Sequence, residues 1–333
     1  MNTARKDGDI MLSIVVPCFD ESDGLLQFHR RLTKVLERLH ICYEVLYVND
    51  GSNDDTIGVL KALQSQDASI GLIDLSRNFG KEIALTAGID HARGNAVIVI
   101  DADLQDPPEY IPEMVDAWRD GFDVVAMRRV DRTSDTVFKR VCAAVYYRLL
   151  GYLSPVRIPE NVGDFRLLSR RAVDALKKLP ERNRYMKGLF AWIGFDCIEL
   201  PYRRDPRLAG DTKLPFMKLV GLALDGITSF SIAPLRLASI TGVLIAFGAL
   251  SFGAVMLAKT FFYGDPVTGF PTLIVTMTFL GGTQLIAIGL LGEYVGRLLI
   301  ECKQRPLYLV KATELPKSVP TTLKAEFRKQ AAG

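Results

Sequence analysis

Short apolar runs alternate with longer segments of helical spacing in the N-terminal part of the chain. The runs predict strands at 12–17, 43–48, 70–75, 96–100 and 122–127, and the intervening segments predict helices at 23–40, 54–66 and 81–91. Strands that alternate with helices at this pitch pair in parallel through right-handed crossovers. The alternation therefore predicts a Rossmann-like, doubly wound α/β sheet.

Polar residues follow the predicted strands at the positions where the fold would place a ligand. In open α/β sheets, ligands bind beyond the carboxyl ends of the strands. Those ends carry Asp20–Glu21, Asn49–Asp50, Ser76–Arg77 and Asp101–Asp103. Neither a G-x-G-x-x-G fingerprint nor a G-x-x-x-x-G-K-[ST] loop occurs in the sequence. The sheet is thus predicted to bind its ligand without the phosphate loop of dinucleotide-binding proteins or P-loop enzymes.

The strongest local signal for chemistry is Asp101-Ala102-Asp103. Two carboxylates spaced i and i+2 after a strand can point to one side of a loop, and Gln105 adds a further oxygen. Such hard oxygen ligands suit Mg²⁺ or Mn²⁺ bridged to substrate phosphates. The alternative is a solvated turn that leads into a helix beginning near Pro107-Pro108.

Charge and cysteine usage exclude other classes of protein. A net charge of +3 over 333 residues is too small to indicate a nucleic-acid partner. The five cysteines are scattered and only three histidines occur, so a zinc site is not expected, and the odd cysteine count fits a reducing compartment. Residues 1–10 contain no apolar core of a signal peptide.

Two long stretches, 237–258 and 272–292, contain no charged residue. Each has about the 20 residues that cross a bilayer core, although a pair of buried core helices is the alternative. The expected organisation is a catalytic domain at 1–214, an amphipathic juxtamembrane segment at 215–234, two transmembrane helices at 235–300 and a tail at 301–333. Within the juxtamembrane part, 216–230 has the spacing of a helix lying in the membrane interface.

The charges that flank these stretches predict the orientation. The link between the two stretches, 259–271, carries one Lys and one Asp. The outer flanks of the stretches carry Arg236, Arg297, Lys303 and Arg305. The positive-inside rule then places both chain ends and the catalytic domain in the cytosol, with the protein as a multi-pass component of the inner membrane. Glycines within both stretches permit close helix packing and make a homo-oligomer an open alternative.

Several motifs in order along the chain resemble the family 2 glycosyltransferases, which have a GT-A fold. They include Pro17-Cys18-Phe19-Asp20-Glu21, Val48-Asn49-Asp50-Gly51-Ser52, Ser76-Arg77-Asn78-Phe79-Gly80-Lys81-Glu82, Asp101-Ala102-Asp103 and Gly163-Asp164-Phe165, with Arg207-x-x-Gly210-x-x-Lys213 later in the chain. More narrowly, the chain is similar to polyprenyl-phosphate sugar synthases such as bactoprenol glucosyltransferases and dolichyl-phosphate mannose synthases. It departs from the usual pattern at Asn49 and Asp20, where Asp and Asn respectively are common.

The resemblance implies roles for individual residues. Asp103 and Asp164 are expected to be catalytic, with Asp164 positioning the acceptor rather than acting primarily as a base. The expected metal ligands are Asp101, Asp103 and Gln105, and the expected donor-binding residues are Pro17, Glu21, Asp50, Lys81 and Asp101. Guanidinium and ammonium groups suit a phosphate, so the acceptor phosphate is assigned to Arg128, Lys139, Arg140, Arg207 and Lys213. For any one of these cations, a solvated basic face or attraction to inner-leaflet lipid is the alternative.

The implied reaction transfers a hexose from a nucleotide-sugar donor to undecaprenyl phosphate with inversion. UDP-glucose is the favoured donor, and GDP-mannose or another UDP-sugar is the alternative. A processive polysaccharide synthase is the runner-up enzyme, but its Q-x-x-R-W motif does not occur in the sequence. A non-catalytic membrane subunit is the remaining alternative, which an intact D-x-D motif does not favour.

Overall fold

The computed structural model describes residues 11–130, 162–182, 184–205, 233–263 and 269–316. Four of the predicted acceptor residues, Lys139, Arg140, Arg207 and Lys213, lie outside the described residues, as does the predicted amphipathic segment 216–230.

Eight strands and eight α-helices make up the described part. The strands are β1 (Met11–Cys18), β2 (Cys42–Asn49), β3 (Ile70–Leu75), β4 (Ala96–Val99), β5 (Val124–Arg129), β6 (Val162–Ser169), β7 (Cys197–Tyr202) and β8 (Val310–Glu314). The helices are α1 (Ser22–Arg38), α2 (Thr56–Gln66), α3 (Lys81–His91), α4 (Ile111–Arg119), α5 (Arg170–Lys177), α6 (Met186–Trp192), α7 (Ala233–Tyr263) and α8 (Phe270–Lys303). A 3₁₀ turn, Pro108–Tyr110, precedes α4.

All eight strands form one mixed sheet in the order β7-β5-β6-β4-β1-β2-β3-β8. The parallel pairing predicted for the first four strands is confirmed, because β1 pairs in parallel with both β2 and β4, and β2 with β3. The prediction of parallel neighbours throughout is wrong beyond β4. There, β6 inserts between β4 and β5 and runs antiparallel to both. The connection through α4 still joins two strands that run in the same direction, β4 and β5. However, β6, which comes later in the chain, lies between them.

The helices cover both faces of this sheet, which explains the continuous apolar runs of its inner strands. Successive residues of β1 enter different cores, since Ile14 packs with Phe28 on one face and Val15 packs with Leu85 on the other. The first core lies beneath α1, α2 and α4, and the second beneath α3, α5 and α6. These two layers hold the strand ends rigidly, so the loops that follow them begin at defined positions.

The two uncharged stretches fall within α7 and α8, which confirms that both are helical. In the described part of the chain, one helical stretch, 238–255 of α7, is long and apolar enough to cross a membrane, and none of it is buried in the protein. The expected second span in α8 is not confirmed by this criterion. A more polar stretch around Thr283 and Gln284 distinguishes α8 from α7.

The chain returns from α8 to the catalytic sheet. Strand β8 pairs antiparallel with β3, and the backbone N–H of Ser76 donates to the carbonyl of Leu309 at 2.9 Å. The hydroxyl of Tyr308 also donates to Asp90 of α3 at 3.0 Å. The segment expected to be a tail therefore contributes an edge strand to the sheet. Its side chains are all exposed, so it carries no apolar alternation that would have predicted it.

Candidate active site

A cavity of about 260 Å³ opens at the carboxyl ends of β1, β2 and β4. Its lining includes every residue predicted to bind the donor, together with one further predicted metal ligand: Pro17, Glu21, Asp50, Lys81, Asp101 and Asp103. These residues come from four separate segments of the chain, which the parallel strands bring to one edge of the sheet. This cavity is the candidate active site.

Asp50 fixes the loop that leads into α3. Its two carboxylate oxygens accept hydrogen bonds from the backbone N–H groups of Phe79 at 2.8 Å and Gly80 at 2.9 Å. Gly80 has φ of +98°, a conformation that favours glycine, and the helix begins at the next residue. Burial raises the pKa of Asp50, and these two N–H groups partly offset the rise. Each oxygen retains a further lone pair, so Asp50 can still accept a hydrogen bond from a ligand.

The close approach of two loops requires glycine beside Asp50. Gly51 has φ of +65°, and a Cβ placed on it would lie 2.4 Å from the carbonyl carbon of Arg77. No side chain larger than hydrogen fits between these backbones. The loops that follow β2 and β3 are consequently packed against each other at the edge of the cavity.

Lys81 joins two predicted functional carboxylates. Its Nζ lies 2.7 Å from Oδ2 of Asp101 and 2.8 Å from Oδ2 of Asp164. Burial alone lowers the pKa of Lys81, but the two carboxylates outweigh that effect and raise it above its ordinary value. Lys81 is the first residue of α3, so the glycine turn at Gly80 aims its side chain between β4 and β6. The predicted donor residue thus lies at the centre of the site.

The pKa values of the two carboxylates are shifted in opposite directions. Burial raises the pKa of Asp101 to about 6, although Lys81 opposes the rise. For Asp164, burial acts in the same direction, but Lys81 and Lys187 outweigh it and hold the pKa well below its usual range. Asp164 is therefore ionised throughout the physiological range, which makes it a weak base and a good hydrogen-bond acceptor.

The oxygen donors after β4 fit a divalent cation. Asp101 and Asp103 both line the cavity, and Oε1 of Gln105 is buried without a hydrogen-bond partner. Between them Leu104 adopts φ of +60°, and the N–H of Gln105 donates to Oδ1 of Asp103 at 3.1 Å. In the described residues, no three His, Cys, Asp or Glu side chains converge as a metal site. Asp101 and Asp103 nevertheless suit Mg²⁺ or Mn²⁺, which commonly keep water and substrate phosphate as further ligands. Gln105, the third predicted ligand, is not among the residues that line the cavity.

A second layer of polar groups supports the D-x-D loop. The hydroxyl of Tyr202 donates to buried Asp106 at 2.7 Å and accepts from Nε of Arg129 at 3.2 Å. Arg204 lies on the other side, with its Nε 3.7 Å from Asp106 and an Nη 3.8 Å from Asp103. None of these four residues was predicted as a functional residue. Asp106 directly follows the metal motif, and that proximity was the one signal that could have identified it.

Arg128 is not among the residues that line the cavity. Arg128 is exposed and forms an ion pair with Glu199 of β7 at 3.2 Å. Successive side chains of a strand point to opposite faces, so the neighbouring Arg129 turns toward Tyr202 and Asp106 instead. Of the predicted acceptor residues, Arg128 is the one that the structure describes, and it does not line the cavity.

The chain matches glycosyl transferase family 2 over residues 13–177. It is 49% identical over 301 residues to an uncharacterised glycosyltransferase of Synechocystis, with 90% of this chain and 95% of that protein covered. It is 46% identical over 300 residues to the bactoprenol glucosyl transferase of Shigella phage SfV, with 90% and 98% covered. The chain therefore belongs to glycosyltransferase family 2, and it is a glycosyltransferase.

A solved structure of more distant similarity is the glucosyl-3-phosphoglycerate synthase of Mycobacterium tuberculosis in complex with Mn²⁺, UDP-glucose and phosphoglyceric acid. The TM-score is 0.46 at 20% identity, over 66% of this chain and 78% of that chain. At this level of similarity it assigns no role to individual residues.

Proposed function

We propose that this glycosyltransferase transfers glucose from UDP-glucose to undecaprenyl phosphate at the cytoplasmic face of the inner membrane. The observation that carries the proposal is the cavity at the strand ends, where six residues predicted from the sequence meet. The 46% identity to a bactoprenol glucosyl transferase over nine tenths of the chain supports the same substrates. GDP-mannose or another UDP-sugar is the alternative donor, and a panel of labelled nucleotide sugars distinguishes them.

The donor would occupy the cavity with its nucleoside toward Pro17, Glu21 and Asp50. The free lone pairs of Asp50 suit the imide N–H of uracil. Asp101, Asp103 and Gln105 would hold Mg²⁺ or Mn²⁺. A bound divalent ion supplies Lewis-acid stabilisation of the negative charge that develops on the leaving diphosphate.

The acceptor requires orientation more than deprotonation. A phosphate monoester has its second pKa around 6 and is largely ionised near neutral pH. Asp164, with its lowered pKa, is suited to orient groups at the reaction centre and poorly suited to remove a proton. Its partner Lys81 offers a cation between the donor residues and Asp164. Attack by the phosphate oxygen opposite the leaving group would invert the anomeric configuration, giving a β-linked product from an α-linked donor.

The path of the chain supports a two-helix membrane hairpin. Strand β7 precedes α7, and β8 follows α8, yet both strands belong to one sheet. A chain that leaves the catalytic domain and returns to it crosses a membrane an even number of times. If α7 spans the bilayer, α8 is the described helix that would return the chain across it. We infer from the flanking arginines that the shared side is the cytosol.

Metal dependence tests the proposed site directly. EDTA should abolish sugar transfer by the purified enzyme, and Mg²⁺ or Mn²⁺ should restore it. Asp103→Asn should reduce the transfer rate by about two orders of magnitude or more, the scale of removing an electrostatic group from a transition state. Asp116→Asn, on the exposed side of α4, is the matched control. Full activity of the wild type in EDTA would contradict the metal assignment.

A further inference from the structure

The segment that follows β7 is attached to the loop that carries the proposed metal ligands. The backbone N–H of Asp205 donates to the carbonyl of Gln105 at 3.0 Å. The preceding residue, Arg204, lies 3.8 Å from the carboxylate of Asp103. In the sequence, Asp205 comes two residues before Arg207, which begins the basic motif predicted to bind the acceptor phosphate. The attachment therefore joins the metal-binding loop to the segment that leads, in the sequence, into the basic motif.

One arginine of α1 contacts both segments that this attachment joins, through Asp205 on one and Glu109 on the other. Arg31 donates from Nε to Oε1 of Glu109 at 2.6 Å and from an Nη to Oε2 of the same carboxylate at 2.8 Å. That Nη also lies 2.8 Å from Oδ2 of Asp205. Glu109 belongs to the 3₁₀ turn directly after the D-x-D loop. A guanidinium can hold one carboxylate with its fork and reach a second, which a lysine ammonium cannot reproduce in the same geometry.

Stability alone does not account for such an arrangement. The side chains of Arg31, Glu109 and Asp205 are 31%, 50% and 42% exposed. Ion pairs of this exposure typically contribute about 0–1 kcal/mol to folding. The arrangement instead connects three segments that are distant in sequence. Arg31 belongs to α1, Glu109 follows the metal-binding loop, and Asp205 precedes the basic motif that begins at Arg207. The geometric consequence of the arrangement is a fixed spacing between the last two segments.

We propose that Arg31 is a positioning residue that holds the start of the acceptor-binding loop in register with the metal-binding loop. The inference rests on the proposed function, because it assumes that Arg207 and the residues after it bind a polyprenyl phosphate. Arg31 itself touches neither substrate. Through Asp205 and Glu109 it holds the residue from which the chain continues toward Arg207 against the loop that carries the proposed metal ligands.

The test is a double-mutant cycle on the full-length enzyme. Arg31→Ala, Asp205→Ala and the double variant are compared with the wild type. Arg30→Ala, the exposed neighbour on the same helix, is the matched control. Three quantities are measured for each: kcat/KM for a soluble short-chain prenyl phosphate, affinity for UDP by calorimetry, and the melting temperature.

Arg31→Ala should lower kcat/KM for the acceptor by about two- to thirtyfold, the range found when a residue that couples two sites is removed. UDP affinity should remain within about twofold, and the melting temperature should barely change, because exposed ion pairs add little stability. Asp205→Ala should have a similar effect, and the double variant should be no worse than the poorer single variant. Arg31→Lys should recover part of the lost acceptor kcat/KM.

Two results would overturn the inference while leaving the proposed function intact. In the first, the wild type transfers sugar to the prenyl phosphate, but Arg31→Ala has the same acceptor kcat/KM as the control Arg30→Ala. The second is a loss of acceptor kinetics, UDP affinity and melting temperature together, which indicates a purely structural role. Absence of transfer by the wild type would instead contradict the proposed function, and this inference with it.

Discussion

Replacement of Asn49 by aspartate, the residue usual in similar glycosyltransferases, should destabilise this protein. Asn49 and Asp74 lie on neighbouring strands, and Nδ2 of Asn49 donates to Oδ1 of Asp74 at 2.7 Å. The two residues are only 3% and 8% exposed. Asn49→Asp would replace this hydrogen bond by two carboxylates in contact. The exposed Lys311, 4.0 Å from Asp74, would compensate little.

The cost of the substitution follows from two competing outcomes. If both carboxylates stay ionised at this distance, their repulsion is about 6 kcal/mol at an effective dielectric constant of 20. If the pair retains one proton, the cost is about 1.4 kcal/mol for each pH unit above the ordinary carboxyl pKa near 4. Protonation thus costs about 4 kcal/mol at pH 7 and about 1.5 kcal/mol at pH 5, so it is the outcome expected at both. Because the folded-state pKa of the pair is raised, the destabilisation is absent below about pH 4 and grows as the pH rises.

The assay is thermal unfolding of the full chain in detergent at pH 5 and pH 7. Asn49→Asp should lower the melting temperature at both values and clearly more at pH 7. The control is the exchanged pair, Asn49→Asp with Asp74→Asn, which restores one donor and one acceptor and should recover most of the loss. The reasoning is refuted if Asn49→Asp unfolds like the wild type at pH 7, or if the exchanged pair is as unstable as the single variant.

Two further predictions concern buried carboxylates, and two concern the acceptor motif and the membrane orientation. Burial raises the pKa of Glu82 from 4.5 to about 7, so the folded protein loses stability as the pH rises between those two values. Glu82→Gln should therefore raise the melting temperature at pH 8 but little at pH 5, and equal shifts at both would contradict this. The fully buried Glu44 accepts hydrogen bonds on both carboxylate oxygens. Glu44→Ala should therefore lower the free energy of unfolding by about 3–5 kcal/mol, and a decrease of less than about 1 kcal/mol would exclude an essential buried ion pair. Arg207→Ala should reduce acceptor kcat/KM by about ten- to a hundredfold with UDP affinity unchanged; the reverse result would reassign that loop to the donor diphosphate. A reporter fused after Gly333 should be cytoplasmic and one inserted at Gly264 external, and reversal of either would overturn the proposed orientation.

The parts of the fold that sequence could predict are those with local periodicity. The strand at Ile70–Leu75 and the helix at Lys81–His91 have the predicted bounds, because each apolar run ends at polar or glycine residues. The insertion of β6 between β4 and β5 could not be predicted, since strand order depends on packing between segments distant in sequence. Strand β8 was missed because its exposed, polar residues carry no burial pattern.

The residues of the candidate site also fall into those with a local sequence signal and those identified only by contacts in the folded protein. Asp101 and Asp103 were predictable because a D-x-D pair after a strand is a local signal. The ion pairs that join Lys81 to Asp164 and Arg31 to Asp205 connect residues more than eighty positions apart in sequence. Such contacts depend on the assembled sheet, and residue type at one position does not indicate its partner. Arg128 and Arg129 are adjacent residues of the same type. Only the alternation of side chains along β5 places Arg129 beside Tyr202 and Arg128 beside Glu199.

The product of a single reaction shows whether the enzyme transfers glucose from UDP-glucose to undecaprenyl phosphate. The full-length enzyme is incubated with UDP-[¹⁴C]glucose, Mg²⁺ or Mn²⁺ and undecaprenyl phosphate, and the lipid fraction is analysed for label and anomeric configuration. We expect a metal-dependent, β-linked glucosyl phosphate lipid that forms only when the lipid phosphate is present. Label that appears only as free glucose, or that extends into a polymer without entering the lipid fraction, would contradict the proposed function.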